Sequence, residues 1–180
     1  FNHIIQPEVY LERRLFPNGW LGHGHAPPIQ NLVDDYEMTN GKNIDDPGSG
    51  YDPQNPYVDR DPRFYATILF DGAPFKERTL ETYIPGGLDS PESPISSWNA
   101  SETGYNMRKF IDESVDDIGS GNTNAPWIYF RYAEILLNYA EAMYNMGQED
   151  VCRQFINLIR SRPSVNMPPV TESGEELWER

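Results

Sequence analysis

The apolar positions of this 180-residue chain repeat with a helical period most clearly near its C-terminal end. Across residues 131–146 (RYAEILLNYAEAMYNM), Tyr132, Leu136, Tyr139, Ala140 and Met143 fall on one stripe, and Ala133, Leu137 and Met146 widen it. Spacings of three and four residues place those side chains on one face of an α-helix. Gly147 stands where a left-handed residue closes such a helix. A second helix is predicted over 149–162: acidic residues open it, Arg160 and Arg162 close it, and Pro163 stops it. Both charge biases suit the helix dipole. The connection is only about two residues long, so the helices must fold back as an antiparallel hairpin. Ser173 and Glu176 make a capping-box pattern that predicts a third helix, cut short by the end of the chain.

Upstream of Trp127 the pattern breaks into short pieces. Residues 29–39 (IQNLVDDYEMT) carry Ile29, Leu32, Val33 and Tyr36 at helical spacing, with Met38 as a further candidate, which predicts a short amphipathic helix ended by Gly41. Residues 64–70 (FYATILF) are β-branched and aromatic, and Asp71-Gly72 follows at once. A strand and tight turn are predicted there, with 79–84 (TLETYI) as the partner strand. Residues 105–111 read as another short strand. The stretches 17–28, 42–62, 86–103 and 112–124 read as loops. The fold class that follows is mainly α: a tetratricopeptide-like helical hairpin scaffold with long ordered loops and a few short β-strands. A single hairpin cannot bury its own apolar face, so its partners must lie in the loop-rich part or in sequence beyond this chain.

Composition changes this picture in three ways. Eleven Tyr and four Trp supply enough ring surface for a core and argue against disorder, while 16 Pro and 14 Gly fit the long loops. A formal net charge of −14 argues against nucleic-acid partners and against docking on anionic lipid through the folded surface. One cysteine, Cys152, excludes an internal disulfide; its place in the second predicted helix suits a small buried thiol. No apolar run is long enough to span a bilayer, and no signal peptide is present. The chain opens at Phe1 and stops inside a predicted helix, so it reads as a segment excised from a longer protein.

Four stretches carry a family resemblance. They are 28–42 (PIQNLVDDYEMTNGK), 56–72 (PYVDRDPRFYATILFDG), 103–112 (TGYNMRKFID), and 128–147 (IYFRYAEILLNYAEAMYNMG) with 156–162 (INLIRSR). In order and spacing they resemble the SusD/RagB family of Bacteroidetes-type outer-membrane lipoproteins, with Ile29 departing from the family's usual Thr. The resemblance implies a single partial SusD/RagB-like domain over 1–180 from the C-terminal half of the family, loop-rich over 1–127 and helical over 128–180. It implies a non-enzymatic protein at the cell surface. Such a protein binds a glycan and passes it to a SusC-like TonB-dependent transporter, and is held to the outer membrane by a lipid anchor outside this chain. One branch of the family captures peptides instead, and a helical-repeat scaffold that only mediates protein contacts is the reading from another class. The resemblance also implies that Arg60, Asp61 and Arg63 recur as one motif, read as an ion-pair network tying the loop to the helices.

Glycan binding needs flat rings for the C–H face of a pyranose and polar groups for its hydroxyls. Loop aromatics suit that task better than those on helices or strands. Trp20 in NGWLGHG and Trp98 in ISSWNAS meet the criterion, with Asn99 and Asp89 as rim partners for a sugar on Trp98. Packing of each loop onto the scaffold is the competing reading for both rings. Trp127, just before the main helix, reads as core. His23 and His25 lack a nearby third ligand, and residues 43–48 (NIDDPG) only faintly follow a calcium loop, so no metal is assigned. Arg131 and Glu134 can pair along the helix. Glu134 and Glu141 lie about 10.5 Å apart along the axis, beyond the ~5–9.5 Å of glycosidase carboxyl pairs. No P-loop, dinucleotide fingerprint or nucleophile elbow occurs, and no cofactor is expected.

Overall fold

The computed structural model describes residues 11–118 and 128–179. The chain divides into two compact units, Phe1–Asp34 with Phe64–Trp127, and Asp35–Arg63 with Ile128–Arg180. Residues 35–63, read from sequence with the loop-rich part, therefore cluster with the helices.

The helical unit is built on α4 (Tyr132–Asn145) and α5 (Glu149–Arg160). Helix α4 ends as its glycine requires: Gly147 has φ 73°, its N–H donates to Tyr144 O, and the Gln148 N–H donates to Met143 O. That pair of bonds is a Schellman motif, which satisfies the last carbonyls and reverses the chain. Small Ala133 and Ala140 let the helices approach. Ala133 and Leu136 pack with Ile159, and Ala140 packs with Cys152, Val170 and Leu177. Cys152 is buried, and desolvation pushes its thiol pKa up. The predicted stripe is wider than its cover: Tyr132, Leu137, Tyr139 and Met146 stay exposed, because α5 lies along only one side of it. The short α6 (Glu175–Trp178) differs from expectation. Gly174 (φ 60°) is its N-cap, without a side-chain cap. Ser173 and Glu176 therefore form no capping box. The Gly174 N–H donates to Glu149 Oε1, and the Tyr144 hydroxyl donates to Gly174 O.

The segment after α5 has no ladder of its own and is clipped to the helix by side chains. Asn157 donates to Val170 O and accepts from Val170 N–H, while Arg160 Nε donates to Pro168 O. The remaining guanidinium nitrogens of Arg160 grip both oxygens of Glu37 at 2.9 and 2.7 Å. Glu37 is 7% exposed and Arg160 5%. Around Glu37 the backbone closes on itself through the Met38–Arg60 bridge and the Asp61 N–H to Glu37 O bond.

Asp61 and Pro62 then start α3 (Pro62–Thr67). Asp61 Oδ1 accepts from the Arg63 N–H at 2.7 Å, and proline occupies the first helical position. Both are favoured helix-start chemistry. The predicted strand over 64–70 is thus helical up to Thr67, and only Ile68–Leu69 (β1) is extended.

In the second unit, β1 pairs antiparallel with β4 (Asn106–Met107), not with 79–84. A separate hairpin joins β2 (Pro74–Phe75) to β3 (Arg78–Thr79). Residues 82 and 83 leave the strand because Asp71 Oδ1 accepts both their backbone N–H groups. The core gathers Phe16, Leu69, Ala73, Phe75 and Leu80. Two short helices complete the unit, α1 (Leu11–Leu15) and α2 (Gln30–Asp34), the latter covering half of the predicted 29–39 helix. Among the described residues no helix is long and apolar enough to cross a membrane.

Removing one partner of a buried, hydrogen-bonded ion pair leaves the other charge uncompensated, at a cost of about 3–5 kcal/mol. Arg160→Met is expected to lose that much in urea unfolding, and Arg160→Met with Glu37→Leu to recover part of it. Gly147→Ala forces a Cβ into the left-handed region and is expected to cost about 1 kcal/mol by the same assay.

Candidate functional site

The two loop tryptophans have different surroundings. Trp20 closes a 3-10 turn (Asn18–Trp20) and is half-buried. Its ring meets Phe75 edge-on at 4.8 Å, the Arg78 guanidinium stacks 3.7 Å from its centroid, and its indole N–H donates to Glu77. Trp98 sits in another 3-10 turn (Ser97–Asn99) and is 78% exposed.

The proposed rim partners of Trp98 are buried. Asn99 is 8% exposed, and its side-chain oxygen has no hydrogen-bond partner among the described residues. Asp89, 2% exposed, accepts from the backbone N–H groups of Gly19 and Glu81 and from both terminal nitrogens of Arg78. Those bonds occupy both carboxylate oxygens and fasten the Trp20 turn to the β2–β3 hairpin. Its role in this fold is to hold loops together.

What lies beside Trp98 is the H-G-H loop. The His23 ring is 6.0 Å from the Trp98 ring and 5.4 Å from that of His25. Gly24 makes the approach possible. Its φ is 55°, and a Cβ there would stand 2.8 Å from Asn99 O. The His23 and His25 N–H groups donate to Arg13 O and Arg14 O at 2.9 and 2.8 Å, laying the loop along α1. Burial holds the His23 pKa below its ordinary value of 6.5, and the charges of His25, Arg13 and Arg14 push the same way. Sequence reasoning weighed these histidines only as metal ligands; the glycine between them was the signal for a close loop contact. A second exposed ring, Tyr83 (85%), was hidden by the strand assigned to 79–84.

The other candidates resolve into local structure. Asp61 pairs with Arg63 through both oxygens, which raises the arginine's pKa. Arg60 is buried and donates to Tyr36 O and Pro56 O. A tie to the helices runs through Glu37 and Arg160, and the Glu37 charge also acts on Arg63. Arg131 is the N-cap of α4 and forms no ion pair with Glu134 among the described residues. Glu134 and Glu141 are both solvent-exposed. In the 43–48 loop, Asp46 accepts from the Asn43 N–H and the Lys42 ammonium occupies Pro47 O, which opposes a cation there. No group of three metal-binding side chains occurs among the described residues. Trp127 lies outside the described residues. A cavity of about 380 Å³ in the helical unit is lined by Asn40, Lys42, Asp46, Arg160, Pro168 and Glu172 among others, none aromatic.

A helical hairpin braced by polar clamps, with short sheets and ordered loops carrying an exposed ring, defines a loop-bearing tetratricopeptide-like scaffold. The sequence matches the SusD family over residues 12–177, and the chain belongs to that family. It superposes on a SusD-like protein from Bacteroides fragilis NCTC 9343 with a TM-score of 0.78 at 29% identity, over 99% of this chain and 37% of that one. A SusD-like carbohydrate binding protein from the same organism gives 0.76 at 32% identity, over 94% of this chain and 35% of that one. The chain thus spans little more than a third of either structure. No curated protein matches it.

Because the folded pKa of His23 lies below 6.5, the unfolded chain takes up its proton first as pH falls. Neutral His23 thus supports the fold fully above 6.5, and that support fades as pH drops through the folded value. An NMR titration of the His23 ring is expected to give a midpoint below 6.5, moving upward in Arg13→Gln/Arg14→Gln.

Proposed function

We propose that this chain is part of a non-catalytic glycan-capture protein at the cell surface, with Trp98 as a sugar-stacking ring. The observation that carries the reading is the large, 78% exposed indole on an ordered loop of a SusD-family chain. The relative whose description names carbohydrate binding adds support at the family level. An exposed indole offers the C–H face of a pyranose an apolar surface with little ordering cost, since its loop is already fixed. Delivery to a SusC-like TonB-dependent transporter and a lipid anchor to the outer membrane belong to the same proposal. Tethering beside a transporter makes weak single-sugar contacts sufficient, because it raises the effective ligand concentration.

A second reading, a scaffold for protein contacts, draws on the exposed stripe of Tyr132, Ile135, Tyr139 and Met146 along α4. Affinity electrophoresis of the protein in gels containing a panel of neutral and acidic polysaccharides separates the two. Trp98→Ala is expected to weaken glycan retardation about thirtyfold, the loss of ~2 kcal/mol typical of a central aromatic anchor. Trp20→Ala is expected to lower stability with little direct effect on retardation. Retardation by no polysaccharide, or by one that ignores Trp98→Ala, defeats the capture reading.

A further inference from the structure

The H-G-H loop beside Trp98 has basic neighbours in an acidic chain. The whole sequence has 28 acidic against 14 basic residues. Yet the loop touching Trp98 is laid along Arg13 and Arg14, whose backbone carbonyls hold His23 and His25. Arg13, Arg14 and His25 are exposed, and His23 is partly so. Neither arginine takes part in any ion pair among the described residues, whereas Arg63, Lys76, Arg78, Arg108, Arg153 and Arg160 all do. The charged neighbours that act on the His23 ring, His25, Arg13 and Arg14, are all cationic.

Two adjacent arginines, in no ion pair among the described residues and close enough for their charges to act on the His23 ring next to the exposed indole, contribute little to a neutral sugar. They contribute much to one that bears an anion, because the guanidinium fork binds carboxylate and oxyanion esters through charge-assisted, bidentate hydrogen bonds. A surface with an excess of carboxylates repels a polyanion elsewhere, so a local cationic patch also selects where such a chain docks.

From this juxtaposition we infer that the Trp98 platform binds anionic glycans, with the pyranose face on Trp98 and its carboxylate or sulfate on Arg13 and Arg14, flanked by His23 and His25. The inference rests on the capture reading above and adds the ligand's charge class. The guanidinium groups recognise a uronic-acid carboxylate and a sulfate ester by the same chemistry, so the two sources are separated by the probe.

The test is affinity electrophoresis of the protein, at low and high salt, in pairs of gels that differ only in polymer charge. Polygalacturonate is set against its methyl-esterified form, and a sulfated galactan against the unsulfated one. The charged member of one pair is expected to retard the protein at least about tenfold more strongly than its neutral counterpart, with retardation weakening as salt rises. Arg13→Gln/Arg14→Gln is expected to lose about tenfold on the charged polymer only, and Trp98→Ala to lose binding to both members. Retention of the circular dichroism spectrum identifies folded variants, and Arg13→Lys/Arg14→Lys, which keeps the charge, is expected to restore part of the loss. Equal binding of both members of each pair, an unchanged double-glutamine variant, or no retardation by any charged polymer overturns the inference. If a neutral polysaccharide is still bound through Trp98, the capture reading stands while this one fails; if none is bound, both fail.

Discussion

A guanidinium has five N–H donors in a fixed plane, and Arg160 uses that geometry to join three pieces of chain. Its Nε holds Pro168 O, its two terminal nitrogens hold Glu37, and its own carbonyl accepts from the Met167 N–H. Burying such a pair is costly, and the Coulombic gain offsets the lost hydration only when the remaining hydrogen bonds are made. Here each of the three guanidinium nitrogens has an acceptor in a fixed direction. The pair therefore does less to strengthen the unit than to specify it. A two-helix hairpin can pack many loops against its apolar side; the placement of 35–63 and of the 164–172 segment seen here satisfies Glu37, Asn157 and Arg160 together. This is a hypothesis about register, and it explains why an arginine at a helix C-terminus points inward when the dipole alone would leave it in water.

The same device recurs in the other unit. Loops rich in proline and glycine have few ladder partners, so their backbone N–H groups must find acceptors elsewhere. Carboxylates supply them, from a buried Asp89 and a partly exposed Asp71. Asp71 gathers the 82–83 backbone, and Asp89 gathers Gly19, Glu81 and Arg78. The exposed Asp52 and Asp112 do the same at the surface, accepting from the Gln54 and Ser114 N–H groups. Ordered loops matter for function, because a ring held in place before binding loses less freedom when a ligand arrives.

What the sequence made legible follows from the range of the forces involved. The α4–α5 hairpin was readable because period, glycine stop and dipole charges are local and agree. The helix at 62–67 was written just as locally, in Asp61-Pro62, but the β-branched and aromatic run after it carried the opposite message. The start signal prevailed for one and a half turns, and β1 took what remained. Asp89 was beyond reach for another reason: its burial depends on Gly19, 70 residues away, and no local pattern encodes that contact. The neighbourhood of Trp98 was half legible. Its exposure follows from its loop, while His23 arrives from 75 positions upstream through a glycine-permitted contact.

Trp20 and Trp98 look alike in sequence, each an indole in a glycine- or serine-rich loop. What separates them is what rests on the ring. Arg78 covers a face of Trp20 at 3.7 Å, and Asp89 neutralises that same arginine. A sugar arriving on that face of Trp20 would have to displace a cation–π contact made by an arginine that Asp89 holds in place. The nearest ring to Trp98 is tilted by 47° at 6.0 Å, leaving most of the indole in water. Solvating that apolar face is unfavourable, and any flat aliphatic surface that displaces the water recovers the difference. An aromatic becomes a binding element when the fold leaves its face unclaimed, and the arginine that claims Trp20 is itself positioned by Asp89, one of the carboxylates that order the loops.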